Sequence, residues 1–167
     1  MQMDYFPTGN VIDKTSKDIL KIFEKHLKEI SSKDNVLSSD EVLEIIRDDL
    51  LNIGFEVEKS KKKKDKIIKS VEGKCFCLDA YMESEGYIIE VEAGRAIENY
   101  QILRDLFEAC VIKDVKYLCV ALRENYAHKN QGKDIVSQHY NKAKNLLKAF
   151  FSSEIKTQLK GVLLIGY

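Results

Sequence analysis

Three acidic residues, Asp79, Glu90 and Glu92, fall at positions where strand geometry can bring them onto one surface. They belong to two runs of strand-like composition, Lys74–Met82 and Tyr87–Glu92, which a short polar link with a glycine joins as a hairpin. Side chains alternate along a strand, so Glu90 and Glu92 share a face, and Asp79 can meet them from the neighbouring strand. Acids in strands often simply face solvent. The Asp-x10-Glu-x-Glu spacing favours convergence instead.

Carboxylates that converge in this way repel each other strongly unless a positive charge lies between them. Mg²⁺ and Mn²⁺ are hard ions that prefer oxygen ligands, so either ion would balance the cluster. The sequence therefore predicts a divalent-metal site, for Mg²⁺ or Mn²⁺, around Asp79, Glu90 and Glu92.

The elements that follow the acids predict an α/β fold. The strand Tyr87–Glu92 leads into a helical pattern from about Ile97 to Cys110 and then into the apolar run Val115–Leu122. A strand–helix–strand crossover of this kind makes its two strands parallel in one sheet. With further strands expected at Phe55–Glu58 and Val162–Ile165, we predict a mixed sheet of about five strands with helices on both faces.

The order Asp79 … Glu90-Val91-Glu92, on a hairpin followed by strand–helix–strand, resembles the PD-(D/E)xK superfamily of restriction-endonuclease-like nucleases. The chain departs from the family pattern twice. Leu78 replaces the Pro before the Asp, and Glu92 replaces the Lys that normally helps to position and activate the attacking water. Some type II restriction enzymes carry Glu-x-Glu at this place, and the substitution is equally compatible with an inactive site.

The resemblance implies a metal-dependent DNA endonuclease in which Asp79 and Glu90 hold Mg²⁺ or Mn²⁺. It also implies the main-chain carbonyl of Val91 as a third ligand, and Glu92 as proton acceptor or as a ligand through water. The similar core is about residues 39–122, within one expected nuclease-like domain of 167 residues. Restriction-like nucleases often dimerise, so a homodimer is expected. The alternative is a catalytically inactive nuclease-fold module that binds DNA or a protein partner.

An acid from the helix before the sheet often completes the metal site in this family. The helix is predicted to begin with a capping box at Ser38 and Glu41 and to end at Gly54. Glu44 is the family-based candidate, because its distance from the helix end resembles that of the family's helix. A helical wheel turns Glu44 away from the apolar arc and places Asp49 within it. Asp49 and Glu41 therefore remain alternatives.

Positive charge for DNA binding must be local, because the chain has 27 basic and 27 acidic residues. The densest basic run is Lys59–Lys66, which is either a solvated loop or a source of phosphate contacts. Arg95, after the Glu-x-Glu strand, and Arg104, in the next helix, are further candidates for phosphate contact, although each can instead pair with a nearby acid. The predicted nucleic-acid contacts are Lys61, Lys62, Lys63, Lys64, Arg95 and Arg104.

The remaining segments frame this core. Met1–Val11 is predicted to be a loose lead-in, Lys14–Ser31 an amphipathic helix, Arg123–Lys133 a polar loop and Asp134–Phe151 a final amphipathic helix. In the helix after the acids, one predicted face is apolar and comprises Tyr100, Leu103, Leu106, Phe107 and Cys110.

The chain shows no signal peptide and no long apolar span, so we expect no membrane association. Its four cysteines form no disulfide framework of the secreted type. A reduced, cytoplasmic protein is the expectation that follows.

Overall fold

The computed structural model describes residues 1–31, 35–59, 65–93, 100–124, 126–130 and 133–167. These residues form ten strands: β1 (Gln2–Phe6), β2 (Glu56–Val57), β3 (Ile67–Val71), β4 (Lys74–Leu78), β5 (Ala80–Met82), β6 (Tyr87–Glu92), β7 (Tyr117–Leu122), β8 (Tyr126–Asn130), β9 (Lys133–Ser137) and β10 (Gly161–Gly166). They also form five helices: α1 (Lys14–Lys25), α2 (Leu27–Ile30), α3 (Ser39–Asn52), α4 (Gln101–Val111) and α5 (His139–Ser152).

Six strands build the central sheet in the order β1-β10-β7-β6-β5-β2. The three middle strands, β10, β7 and β6, are parallel, and Glu90 of β6 lies opposite Val120 of β7. The outer strands β1, β5 and β2 pair antiparallel, which makes the sheet mixed. Two hairpins, β3–β4 and β8–β9, stand apart from it as two-stranded sheets. The predicted mixed sheet and its parallel crossover are confirmed, with six strands where about five were expected.

The sheet separates two apolar cores. On one face Tyr87, Ile89 and Val91 of β6 pack with the buried side chains of α1, α2 and α3. On the other face Ile88 packs with the buried side chains of α4 and α5. Alternation along β6 thus directs Glu90 toward the α4 side. The predicted placement of helices on both faces is confirmed. No described helix combines the length and the apolar character needed to cross a membrane.

The run Lys74–Met82 is not one strand, because the chain bends at Asp79 between β4 and β5. Strand β4 pairs with β3, while β5 joins the central sheet. Leu78 consequently belongs to the core beneath α4, and Ala80 to the core beneath α3. Both the side chain and the carbonyl of Asp79 accept hydrogen bonds from other strands or strand ends.

The two ends of the chain differ most from the prediction. The expected lead-in contains β1, which pairs with β10 along five residues and buries Phe6. The expected polar loop Arg123–Lys133 contains β8 and the start of β9, so the final helix begins at His139 and not at Asp134. Both pairings join segments whose sequence is polar or short, which is why apolar periodicity did not reveal them.

Helix α4 turns a different arc inward from the one predicted. Its buried residues are Ile102, Asp105, Leu106, Glu108 and Ala109. Of the predicted apolar face only Leu106 is fully buried; Tyr100, Leu103 and Phe107 are exposed. The prediction for this face was therefore wrong. Helix α3, in contrast, begins as expected, with a complete capping box between Ser38 and Glu41.

Candidate active site

A cavity of about 370 Å³ opens where the N-terminus of α3, the bend at Asp79, strand β6 and helix α4 meet. The predicted residues Asp79, Glu90, Val91 and Glu92 all line it. Among the described residues, its charged side chains are five carboxylates and two cations: Asp40, Glu58, Asp79, Glu90, Glu92, Lys66 and Arg104. The structure thus brings the three sequence-predicted acids together, and acids outnumber cations among the described residues that line the cavity.

Asp79 is held at the wall of this cavity by two hydrogen bonds. Its Oδ2 accepts from the main-chain N–H of Val91 at 2.8 Å, and its carbonyl accepts from the N–H of Glu58, also at 2.8 Å. Burial raises the pKa of the Asp79 carboxyl to about 6, against the opposing effect of the Val91 hydrogen bond. The charges of Glu58 and Asp40 raise this pKa further, and Lys66 lowers it. Asp79 is therefore fixed in position but costly to ionise.

Glu90 is the most deeply buried of the three acids predicted from the sequence. It is 5 % exposed, and its Oε1 has no hydrogen-bond partner among the described residues. Burial, followed by the charge of Asp79, holds the pKa of the Glu90 carboxyl well above its usual range. A buried carboxylate oxygen without a donor is unfavourable unless a proton or a cation satisfies it. The Glu90 carboxyl is therefore either neutral or balanced by a cation.

Glu92 stands at the end of β6 and is only partly buried. Burial and the charge of Asp79 raise its pKa to about 7, while Arg104 and a hydrogen bond from Gln101 lower it. A carboxyl whose pKa lies near neutrality can accept and release a proton at physiological pH.

Helix α4 adds two acids that the sequence analysis passed over. Asp105 and Glu108 are 1 % and 6 % exposed, and each has one carboxylate oxygen without a partner among the described residues. Both charges raise the pKa of Glu90, and Asp105 itself has a pKa raised to about 8, mainly by burial and by Glu92. Arg104 offsets part of this charge at 3.2 Å from Glu108 and 3.6 Å from Asp105. The burial of Asp105 could have been predicted from the sequence, because Asp105 lies on the same helical arc as Ile102 and Ala109.

The acids of α3 are distributed differently from the prediction. Glu44 lines a neighbouring hollow of about 310 Å³ together with Asp79, but it is 68 % exposed and paired with Arg47 at 2.6 Å. Asp40, one turn earlier, lines both this hollow and the main cavity. Of the two alternatives, Glu41 serves the capping box and Asp49 binds Lys25 and His26. Asp40 and Glu58 are thus further acids at the site that sequence reasoning missed.

The predicted basic contacts are only partly visible. Arg104 lines the cavity, as does Lys66 from the end of the predicted lysine run, 3.8 Å from Glu58. Lys61, Lys62, Lys63, Lys64 and Arg95 lie outside the described residues.

The donor set fits a hard divalent cation. It consists of desolvated carboxylates, one of them with an unsatisfied buried oxygen, and the main chain of Val91 beside them. Among the described residues, no three Asp, Glu, His or Cys side chains are already arranged as a metal-binding group. A Mg²⁺ site does not require three such side chains, because Mg²⁺ is commonly held by one or two carboxylates and keeps several waters. Two carboxylates and one main-chain oxygen are therefore enough protein ligands.

Comparison with known proteins supports the fold. No protein-family model matches the sequence, and no curated protein matches it. Among solved structures, the chain is similar to restriction endonuclease BglII complexed with a DNA 16-mer, with 13 % identity, a TM-score of 0.52, and coverage of 99 % of this chain and 76 % of that chain. Free BglII has 11 % identity and a TM-score of 0.48, over 100 % and 80 % of the two chains. The chain therefore has a restriction-endonuclease-like fold, as the sequence predicted.

Proposed function

We propose that this chain is a metal-dependent DNA endonuclease that hydrolyses phosphodiester bonds at the cavity around Asp79, Glu90 and Glu92. The observation that carries the proposal is the buried oxygen of Glu90, which has no hydrogen-bond partner among the described residues. It lies on this fold in a cavity whose described lining holds five carboxylates and two cations. An ionised acid placed in this way destabilises the protein unless a cation balances it; a protonated Glu90 is the alternative.

In the proposed site Asp79 and Glu90 hold Mg²⁺ or Mn²⁺, and the carbonyl of Val91 is the third protein ligand. The hydrogen bond from Val91 fixes Asp79 Oδ2, which leaves Oδ1 as the oxygen that is available to a ligand. When bound, the ion supplies a water nucleophile at neutral pH and stabilises negative charge on the phosphate.

Glu92 occupies the place of the family's Lys, and we propose that one of its carboxylate oxygens accepts the proton of the attacking water. Its raised pKa, about 7, suits a group that must take up a proton and then release it to solvent near neutral pH. This assignment makes the site a Glu-x-Glu variant.

The cations at the cavity are proposed to bind the phosphodiester. Arg104 keeps 58 % of its side chain exposed while it pairs with Asp105 and Glu108, so its guanidinium can still reach a phosphate. Lys66 lines the same cavity. Further phosphate contacts by Lys61–Lys64 and Arg95 remain proposals from the sequence, as do the assignment of residues 1–167 to one nuclease-like domain and a cytoplasmic location.

DNA is the proposed substrate because one solved structure to which this fold is similar is a restriction endonuclease complexed with DNA. The competing function is a catalytically inactive module that binds DNA or a protein through this fold. Glu92 in place of the usual Lys is the observation that favours it.

Two binding measurements separate these functions before any cleavage is assayed. Calorimetric titration with Mn²⁺ should show binding to the wild type and none to Glu90→Gln, in which the amide keeps the shape of the side chain but removes the charge. An electrophoretic shift assay with duplex DNA in EDTA then reports salt-sensitive DNA binding. DNA binding without Mn²⁺ binding would contradict the nuclease proposal and support the inactive module.

A further inference from the structure

Strand β4 presents two thiols on the exposed face of the β3–β4 hairpin. Cys75 and Cys77 lie there because they alternate along the strand with side chains that are buried in the core beneath α4. The other two thiols are less accessible, since Cys110 is half-buried and Cys119 is fully buried. Cys77 lines the acidic cavity, and Cys75 is not among the described residues that do. Cys77 is therefore an exposed thiol in the wall of the proposed metal site.

The cavity beside Cys77 favours the entry of a positive charge. Glu90, which lines the same cavity, is 5 % exposed, and its Oε1 has no hydrogen-bond partner among the described residues. Acids outnumber cations in the described lining by five to two. A cleft lined mainly by one sign of charge raises the local concentration of small ions of the opposite sign. A thiol in this wall should therefore select its reaction partners by charge.

We propose that Cys77 is a site of covalent modification by small cationic disulfides, the disulfides of aminothiols, and that the modification closes the cavity to metal ions. The Cys77 sulfur attacks as the thiolate one sulfur of the disulfide. A new S–S bond joins Cys77 to one aminothiol group, while the S–S bond of the reagent breaks. The second aminothiol leaves with the electron pair of the broken bond and takes up the proton that Cys77 has lost. The exchange needs no further oxidant.

The bound group would act on the cavity through its ammonium. It is tethered in a space of about 370 Å³ whose lining includes Asp79 and Glu90, so it competes with a divalent cation for these carboxylates. Because thiol–disulfide exchange is reversible, a reducing thiol removes the group and reopens the cavity. This closure of the metal site rests on the proposed function, whereas the selective modification of Cys77 does not.

The rates of modification, followed by mass spectrometry at pH 8, test the site. Cys75→Ser leaves Cys77 as the exposed thiol, and Cys77→Ser leaves Cys75. Each variant reacts with cystamine, which is cationic, and with 3,3′-dithiodipropionate, its anionic counterpart. The ratio of the two rates cancels the intrinsic reactivity of a thiol and reports the charge around it. We expect this ratio to be larger at Cys77 than at Cys75 by about tenfold or more, and to fall as salt is added.

A third protein shows which charges set the ratio, because Lys74 stands next to Cys75 in the chain and lowers the ratio there. Adding Glu92→Gln to Cys75→Ser removes one acid of the cavity and should lower the ratio at Cys77 by about twofold or more. Circular dichroism and melting establish that each variant is folded. Equal ratios at the two thiols, a ratio at Cys77 that Glu92→Gln leaves unchanged, or a Cys77 that does not react would overturn the proposal.

Calorimetric titration with Mn²⁺ tests the closure, with each variant compared before and after reaction with cystamine. Modified Cys77 should weaken Mn²⁺ binding by about tenfold or more, since its ammonium competes for the same acids. Reduction should restore the binding, and modified Cys75 should leave it unchanged. Unaltered binding after modification of Cys77 would overturn the closure. A chain that binds no Mn²⁺ even before modification would contradict the closure and the nuclease proposal together, while the rate ratios still decide whether Cys77 is the modified thiol.

Discussion

Asp79 Oδ2 accepts a hydrogen bond from the main-chain N–H of Val91 across 2.8 Å, which ties the acid at the strand bend to the strand that carries Glu90 and Glu92. The bond orients one acid against the other two without help from a cation. The buried N–H of Val91 therefore donates to a side chain and not to a main-chain carbonyl of the neighbouring strand, because the chain bends at Asp79.

The importance of this bond is measured by comparing Asp79→Asn with Asp79→Ala. Both variants remove the charge, but only the Asn oxygen can still accept from Val91. We expect Asp79→Asn to be more stable than Asp79→Ala by about 1–3 kcal/mol in urea unfolding, the cost of a buried donor left without an acceptor. Equal midpoints and slopes for the two variants would show that the bond does not support the fold.

Metal-free protein should lose stability as the pH rises. The carboxyls of Asp79, Glu92 and Asp105 have folded-state pKa values raised to about 6, 7 and 8. Because these values exceed those of the unfolded chain, the folded state holds more protons, and the free energy of unfolding falls from about pH 4 to about pH 8.

Thermal melts in EDTA between pH 5 and pH 8 check this expectation, with Asp105→Asn as the variant that should flatten the dependence. Addition of Mg²⁺ or Mn²⁺ should restore stability most at the upper end, where the acids are ionised. A melting temperature that rises with pH in EDTA would mean that the acids are not destabilising one another.

His26 gives a second pH dependence, remote from the site. Its ring lies 2.7 Å from Asp49 and 3.1 Å from Glu29. Burial disfavours its charged form, but the two carboxylates outweigh burial and raise the pKa of His26. A raised histidine pKa gives stability that is complete below about pH 6.5 and is lost as the pH passes through the folded-state value.

His26→Gln should therefore destabilise the protein by about 0.5–1 kcal/mol at pH 5.5 and by much less at pH 8.5. Urea unfolding of the wild type and the variant at both values measures the difference directly. An equal loss at the two pH values would assign the effect to packing and not to charge.

The acid that α3 supplies can be identified by a matched pair of substitutions. Asp40 lines both hollows beside Asp79, whereas Glu44 lines one and is engaged by Arg47. We expect Asp40→Asn to lower cleavage by about tenfold or more, in the range seen for residues that support metal ligands, and Glu44→Gln to change it less than about threefold. The reverse order would restore Glu44 as the helix acid.

The sequence was sufficient for the part of the site that one hairpin and one crossover determine. The alternation along β6 and the Asp79 spacing predicted that three acids converge, and the three acids line one cavity. Asp40 and Glu58 were missed because their approach to Asp79 depends on how α3 and β2 pack, which local periodicity does not encode. Strand β1 was missed for a similar reason, since among the described strands it pairs with β10, at the other end of the chain.

The most direct test of the proposed function is cleavage of supercoiled plasmid with Mg²⁺ or Mn²⁺ by the wild type, Asp79→Asn and Glu90→Gln, beside an EDTA control. The account predicts metal-dependent nicking or linearisation by the wild type alone. It also predicts that Glu90→Gln melts in EDTA at the same or a higher temperature than the wild type, because a buried carboxyl that is costly to ionise has been replaced by a neutral amide of the same shape. Cleavage retained by both variants, or a wild type that binds DNA with either metal and does not cut it, would contradict the account.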